Sequence, residues 1–190
     1  MSTEDDLRKH VLDDAVELME TLGIVTPSVT TAANINAPAQ LLLRRLLTRH
    51  VLLVLTRLHA NAGKGQTGIT ASIDSVLEAA ANASRLTPAE IDRFKARRNA
   101  LKKDMEPDGV SFADIQLFRT TELAHSLHAP GANSVGLSWY VIDEFARGTY
   151  ELVKDIESVL MKAGAPDIRA LPADKCDEWV AHGQALWQVT

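Results

Sequence analysis

Ser111-Phe-Ala-Asp-Ile-Gln-Leu-Phe-Arg-Thr-Thr-Glu-Leu-Ala-His-Ser-Leu-His128 is the stretch on which the reading of the fold turns. Ser111 followed three residues later by Asp114 is a helix-start signal: the hydroxyl caps orphan N–H groups, and the carboxylate is favoured in the first turn. Ile115, Phe118 and Leu123 fall near one side, and Leu127 follows Leu123 by one further turn. The pattern is that of an amphipathic helix, with Arg119, His125 and His128 embedded as polar groups that need explaining.

Around this stretch the chain reads as all-α. Its 190 residues suffice for one domain with a substantial core. Hydrophobic residues make up 46% and aromatics only 5%, which favours a helical core of Leu, Val, Ile and Ala. A formal net charge of -5 argues against a protein that coats nucleic acid indiscriminately, since that requires a dense basic face. Cys176 is the only cysteine, so one copy can form neither an internal disulfide nor a multi-cysteine zinc site. The acidic N-terminus lacks the apolar run of a secretion signal, and a cytoplasmic location is expected.

Upstream, Thr3 with Glu4, Asp5 and Asp6 opens a first helix over 3–22, and Gly23 is expected to end it. Ile24 to Ala37 reads as a connector. From Pro38 to about Asn61 runs the most apolar helix, with leucines around nearly its whole circumference, the mark of a bundle centre or a subunit contact. Arg44, Arg45 and Arg49 interrupt it too early for a membrane span of roughly 20 apolar residues. The glycine-rich loop Ala62–Gly68 lacks the order of a phosphate loop and reads as a connector. A helix over Thr70–Ser84 carries Ile73, Val76, Leu77 and Ala80 inward.

Thr87-Pro88-Ala89-Glu90 is the strongest helix start in the chain. The helix it opens places six positive charges, Arg93, Lys95, Arg97, Arg98, Lys102 and Lys103, within eleven residues. Such a run is either a solvated face or a contact for a phosphate backbone. After the motif helix, Ser138 to Lys162 forms a long helix expected to pack antiparallel to it, with Val141, Phe145, Leu152, Ile156, Val159 and Leu160 inward. A last helix over 172–188 carries Trp179, Leu186 and Trp187 on one side. No alternation of Val, Ile or Thr marks a strand.

Phe118-Arg119-Thr120-Thr121-Glu122-Leu123-Ala124-His125-Ser126 resembles the signature of the HEPN superfamily, small helical domains with an Arg, a spacer of four to six residues and a His. The closing Leu-Ala-His-Ser and the long helix after it are similar to the abortive-infection U-type branch. Helix order and spacing extend the resemblance over roughly Leu41 to Leu160, with a HEPN-like core at about 38–163 and the terminal helices as flanking elements. Thr120 stands where that family commonly has Asn, Asp or His, a departure that bears on catalysis rather than on fold.

Six helical residues turn about 600°, so Arg119 and His125 point roughly 120° apart, and one copy holds them awkwardly. A homodimer with adjacent motif helices brings two His and two Arg around one phosphate. The resemblance then implies metal-independent RNA cleavage in a toxin or defence protein, His125 moving protons and Arg119 holding the phosphate. Histidine titrates near neutrality and the arginine fork fits phosphate. Arg97, Arg98, Lys102, Lys103 and His128 are the candidate RNA-binding residues. The alternative for His125 is a helix histidine bonded to a neighbour. The alternative for the whole is a catalytically inactive HEPN-like module acting through a protein partner, such as an antitoxin, or a nucleotide. Glu122-Leu-Ala-His125 matches one half of a helical di-iron site, but no second pair occurs, so neither metal nor cofactor is expected. His10, His50, His59 and His182 read as structural or surface residues.

Overall fold

The computed structural model of the protein describes residues 4–30, 38–62, 64–65, 68–69, 71–106, 110–117, 138–168 and 175–187. Within them run α1 (Glu4–Thr30), α2 (Pro38–Leu58), α3 (Ile73–Asn82), α4 (Pro88–Lys103), α5 (112–117), α6 (Trp139–Lys162) and α7 (Cys176–Trp187). The all-α class holds. The glycine-rich loop departs from it only locally: Lys64–Gly65 and Gly68–Ile69 (β1 and β2) pair antiparallel as a minimal hairpin. Two residues per strand are too few for any alternation to have signalled them.

The expected inner stripe of α1 is buried in full: Leu7, Val11, Leu12, Ala15, Leu18, Met19 and Leu22 all lie in the core. α1 packs against α2, α3, α6 and α7. It runs antiparallel to α6. Arg8 meets Glu157 near one end, and Thr26 meets Asp143 and Trp139 near the other. It also runs antiparallel to α2, where Asp14 binds Arg57 and the Ser28 carbonyl accepts from Arg44.

α1 does not stop at Gly23. It continues through Gly23 and Pro27 to Thr30, taking up half of the expected connector. The reason is a helix crossing. Pro27 has no N–H to donate to the carbonyl of Gly23 one turn back, and α7 crosses at that point. A Cβ on Gly183 would lie 2.6 Å from the Gly23 carbonyl oxygen and 2.7 Å from that of Ile24. A Cβ on Gly23 would meet Trp179 Cβ at 2.7 Å. Trp187 Nε1 donates to the Ile24 carbonyl at 2.6 Å, anchoring the far end of the crossing. Gly23 is therefore a packing glycine rather than a helix stop. On α7, Trp179 and Trp187 are buried as expected, but Leu186 is exposed, and Gly183 occupies the contact line instead.

Leucines and valines lie around nearly the whole circumference of α2, but only its C-terminal half is inside. Val51, Leu52, Val54, Leu55 and Leu58 are buried, whereas Leu41, Leu42 and Leu46 are 44%, 56% and 51% exposed. α3 starts at Ser72 rather than Thr70, because Ser72 and Ser75 form a reciprocal capping box. The box expected at Thr87 and Glu90 opens α4, with Phe94 buried beneath it. α6 buries Val141, Phe145, Leu152, Ile156 and Leu160. It ends in a Schellman turn: Gly164 takes φ +83°, its N–H reaches the Met161 carbonyl, and that of Ala165 reaches Leu160.

Arg8 is 1% exposed and lies against Glu157, itself 6% exposed. Its Nε donates to Glu157 Oε2 at 3.2 Å, a terminal nitrogen bonds Glu157 Oε1, and further bonds reach Asp5 at 3.0 Å and the Pro166 carbonyl at 3.0 Å. One hydrophobic cluster takes in residues of all seven helices except α7's last turn, where Trp187 is buried against α1.

The crossing gives a direct test. Gly183→Ala sets a methyl against two backbone carbonyls that cannot move independently, so urea unfolding should show a loss of about 1–3 kcal/mol. An unchanged midpoint would mean that α7 is not held on α1 in this way.

Candidate functional site

The motif helix begins as its sequence requires. Asp114 N–H bonds Ser111 Oγ at 3.2 Å, and the Asp114 carboxylate accepts the Ser111 N–H at 2.8 Å and its hydroxyl at 2.6 Å. The bond from the Ser111 side chain, then that from its backbone, holds the Asp114 carboxyl below the usual carboxylate range. Ile115 is buried and Phe112 packs on the core, so α5 is seated at its start. Residues 118–137 lie outside the described residues, and with them Arg119, Thr120, His125 and His128. So does nearly all of the expected packing of the motif helix on α6; what is described is the edge-on contact of Phe112 with Phe145 at 5.9 Å.

Beneath this seat is a buried polar cluster. His59, just past α2, is 1% exposed, and its Nε2 lies 2.9 Å from Thr149 Oγ1. The Thr149 hydroxyl donates to the Phe145 carbonyl at 2.7 Å, so it can only accept from His59. The imidazole is thus the neutral Nε2–H tautomer, with Nδ1 unpartnered among the described residues. Its ring packs on both Phe145 and Phe112, at centroid distances of 4.7 and 5.6 Å, so that the three rings meet in a triangle. Burial, then the charges of Lys102 and Arg98, hold its pKa well below the ordinary histidine value. His59 is a core residue, in keeping with its sequence reading.

The four expected phosphate contacts on α4 do not share a face. A helix turns about 100° per residue, so neighbours in sequence diverge. Arg98 points inward and forms an ion pair with buried Asp74 of α3. It is not on a surface a nucleic acid can reach, which corrects the expectation for it. Lys102 is half-buried: Nζ donates to the His59 carbonyl at 3.3 Å and lies 4.5 Å from the centre of the Phe112 ring. Burial, then the Arg98 charge, lowers its pKa. Lys102 therefore caps the end of α2 and supports the base of α5. Arg97 points outward and pairs with Asp155 of α6, and Lys103 is exposed. The signal for Arg98 was present in the sequence. Ile91, Phe94, Arg98 and Leu101 follow the three- and four-residue steps of one inward stripe, so Arg98 sits on a core position.

Arg97 also lines a groove of about 370 Å³ between α4 and α6, with Arg93 and Phe94 on one wall and Asp155, Ser158, Val159 and Lys162 on the other. A smaller groove of about 230 Å³ lies toward the other end of α6, lined by Leu101, Asp104, Met105, Val141, Glu144 and Phe145. Sequence reasoning missed Ser158 and Lys162 as partners of the basic helix. Their spacing from Asp155 does put them on one face of α6, but nothing in the sequence says that this face opposes α4. Among the described residues no three His, Cys, Asp or Glu side chains gather as a metal site would require, and no helix is long and apolar enough to cross a membrane. Comparison of the chain with protein-family models, with curated proteins and with solved structures gives no match.

The neutral state of His59 has a measurable consequence. In the unfolded chain it takes up a proton near pH 6.5, and in the folded protein only at much lower pH. The folded state is therefore disfavoured as pH falls below about 6.5, by up to about 1.4 kcal/mol per pH unit for one such group. His59→Gln keeps a donor for Thr149 and cannot titrate. The stability gap between wild type and variant should narrow between pH 7.5 and 5.5 in urea unfolding, and a constant gap would show that His59 is not held neutral.

Proposed function

We propose that the protein is a HEPN-like RNA-binding protein that cleaves RNA without a metal, acting as a homodimer with Arg119 and His125 from two copies around one phosphate. The observation that carries this reading is the Arg119-to-His125 spacing within Phe118–Ser126, directly after a capped and seated helix start. The capping at Ser111 supports a helical register for the motif, the premise of the two-copy arrangement. In that arrangement His125 of one copy takes the proton of a ribose 2′-hydroxyl as its oxygen attacks the adjacent phosphorus. The other copy's His125 gives a proton to the departing 5′-oxygen, leaving a 2′,3′-cyclic phosphate and a 5′-hydroxyl end. Arg119 offsets the charge that builds on the phosphoryl oxygens.

A second reading, a catalytically silent HEPN-like module acting through a protein partner, is favoured by two observations. Thr120 departs from the family pattern, and Leu41, Leu42 and Leu46 leave an apolar strip of α2 exposed among the described residues. The same strip supports self-association under the first reading.

His125→Ala should reduce cleavage by about 10² to 10⁴-fold in a gel assay with EDTA present, with an unchanged melting temperature. Loss of melting temperature in the variant, with no cleavage by the wild type, would instead make His125 structural.

Light scattering over a concentration series should report a dimer. A strict monomer throughout would remove the two-copy site, whichever chemistry is considered.

A further inference from the structure

We infer that the groove between α4 and α6 is a phosphate-binding site, built from Arg93, Arg97, Lys162 and Ser158, and that the phosphate it takes is that of an RNA strand. The RNA source rests on the function proposed for the Arg119–His125 motif; the groove itself does not depend on Arg119 or His125.

Three features carry the inference. The first is convergence. Arg93 and Arg97 are one turn apart on α4, Ser158 and Lys162 one turn apart on α6, and the four line the same cavity of about 370 Å³. The second is charge. Three cations and one carboxylate line it, a local excess of two positive charges on a chain whose formal net charge is -5. A groove with a low-dielectric wall concentrates that field on an approaching anion. The wall here is Phe94 and Val159. The third is preparation of the donors. The Arg93 guanidinium carbon lies 4.7 Å from the centre of the Phe94 ring, and Arg97 is held across the groove by Asp155. Both side chains line the groove, and an arginine fork matches two phosphate oxygens at once. Arg93, Arg97, Ser158 and Lys162 are all exposed, so an anion can reach them.

Asp155 is the groove's own counter-charge. An exposed pair of this kind contributes little to stability, so an incoming phosphate displaces it from Arg97 easily. This separates the two roles of the basic helix. Arg98 and Lys102 serve the interior, while Arg93 and Arg97 form with α6 the part a phosphate can enter.

The test measures binding of a fluorescein-labelled single-stranded RNA oligonucleotide by anisotropy, and of inorganic pyrophosphate by calorimetry. His125→Ala protein in EDTA is used throughout, so that turnover plays no part. Arg93→Glu/Lys162→Glu should weaken RNA binding by about tenfold or more and lower the salt dependence by about two phosphate contacts. Lys9→Glu, a single reversal at an exposed site on α1 and so the charge match for Lys162→Glu alone, should change affinity less than about twofold. Asp155→Asn removes the competing carboxylate and should tighten binding, a gain that a merely structural role does not predict. Melting temperature is followed for each variant, and Lys162→Glu alone, on the exposed last turn of α6, is read if the double variant melts early. Pyrophosphate binding with this pattern, in a protein that does not bind RNA, keeps the groove as a small-anion site and overturns the RNA source. Equal loss for Lys9→Glu and the groove variant, no loss in either, or no binding of either probe overturns the site itself.

Discussion

A guanidinium held out of water sets the frame of this bundle. Taking Arg8 and Glu157 from solvent costs several kcal/mol per ion, and only close, multiple hydrogen bonds offset that cost. Arg8 has them: two to Glu157, one to Asp5 and one to the carbonyl of Pro166. A hydrophobic contact tolerates sliding by a turn, but this pair does not, because a slip would leave a charge buried without its partner. The register of α1 on α6 is therefore specified near Arg8, as is the path of the chain beyond the Schellman turn at Gly164. At the other end of α1 the Gly23–Gly183 approach acts by the opposite means. Absent side chains bring two backbones together, and the tryptophans on either side of Gly183 cover the junction.

With α1 and α6 in register, the remaining helices acquire distinct tasks. α4 lies along α6 and is divided lengthwise by its own rotation. Arg98 and Lys102 turn toward Asp74, His59 and Phe112, and Arg93 and Arg97 turn toward the groove. The inward half is the polar core of the molecule, in which a neutral imidazole is kept neutral by burial and by two nearby cations. It also reaches the start of α5 through Phe112. The start of α5 thus rests on the same cluster that joins α2, α3, α4 and α6.

The apolar strip of α2 shows how hydrophobicity and burial part company. Leu52 and Leu55 are inside, in the core cluster shared with α1, α3 and α6, while Leu42 and Leu46 are equally apolar and remain exposed. Nothing in their side chains distinguishes them. The difference is which neighbours the tertiary arrangement supplies.

Local rules were legible wherever local chemistry suffices. The capping boxes at Thr87 and Ser111, the inner stripes of α1, α3 and α6, the all-α class and the motif spacing all come from hydrogen-bonding side chains and helical period within one turn of chain. What tertiary structure alone decided is where a local rule had a distant competitor. Gly23 and Pro27 read as a helix end until a second helix makes a close approach worth more than the stop. Arg98 read as one of a basic run until Asp74, on a different helix, gave it a buried partner. Lys162 and Ser158 carried no signal until packing set them opposite Arg93 and Arg97. Helix period tells which residues share a face, and only the meeting of helices tells what that face meets.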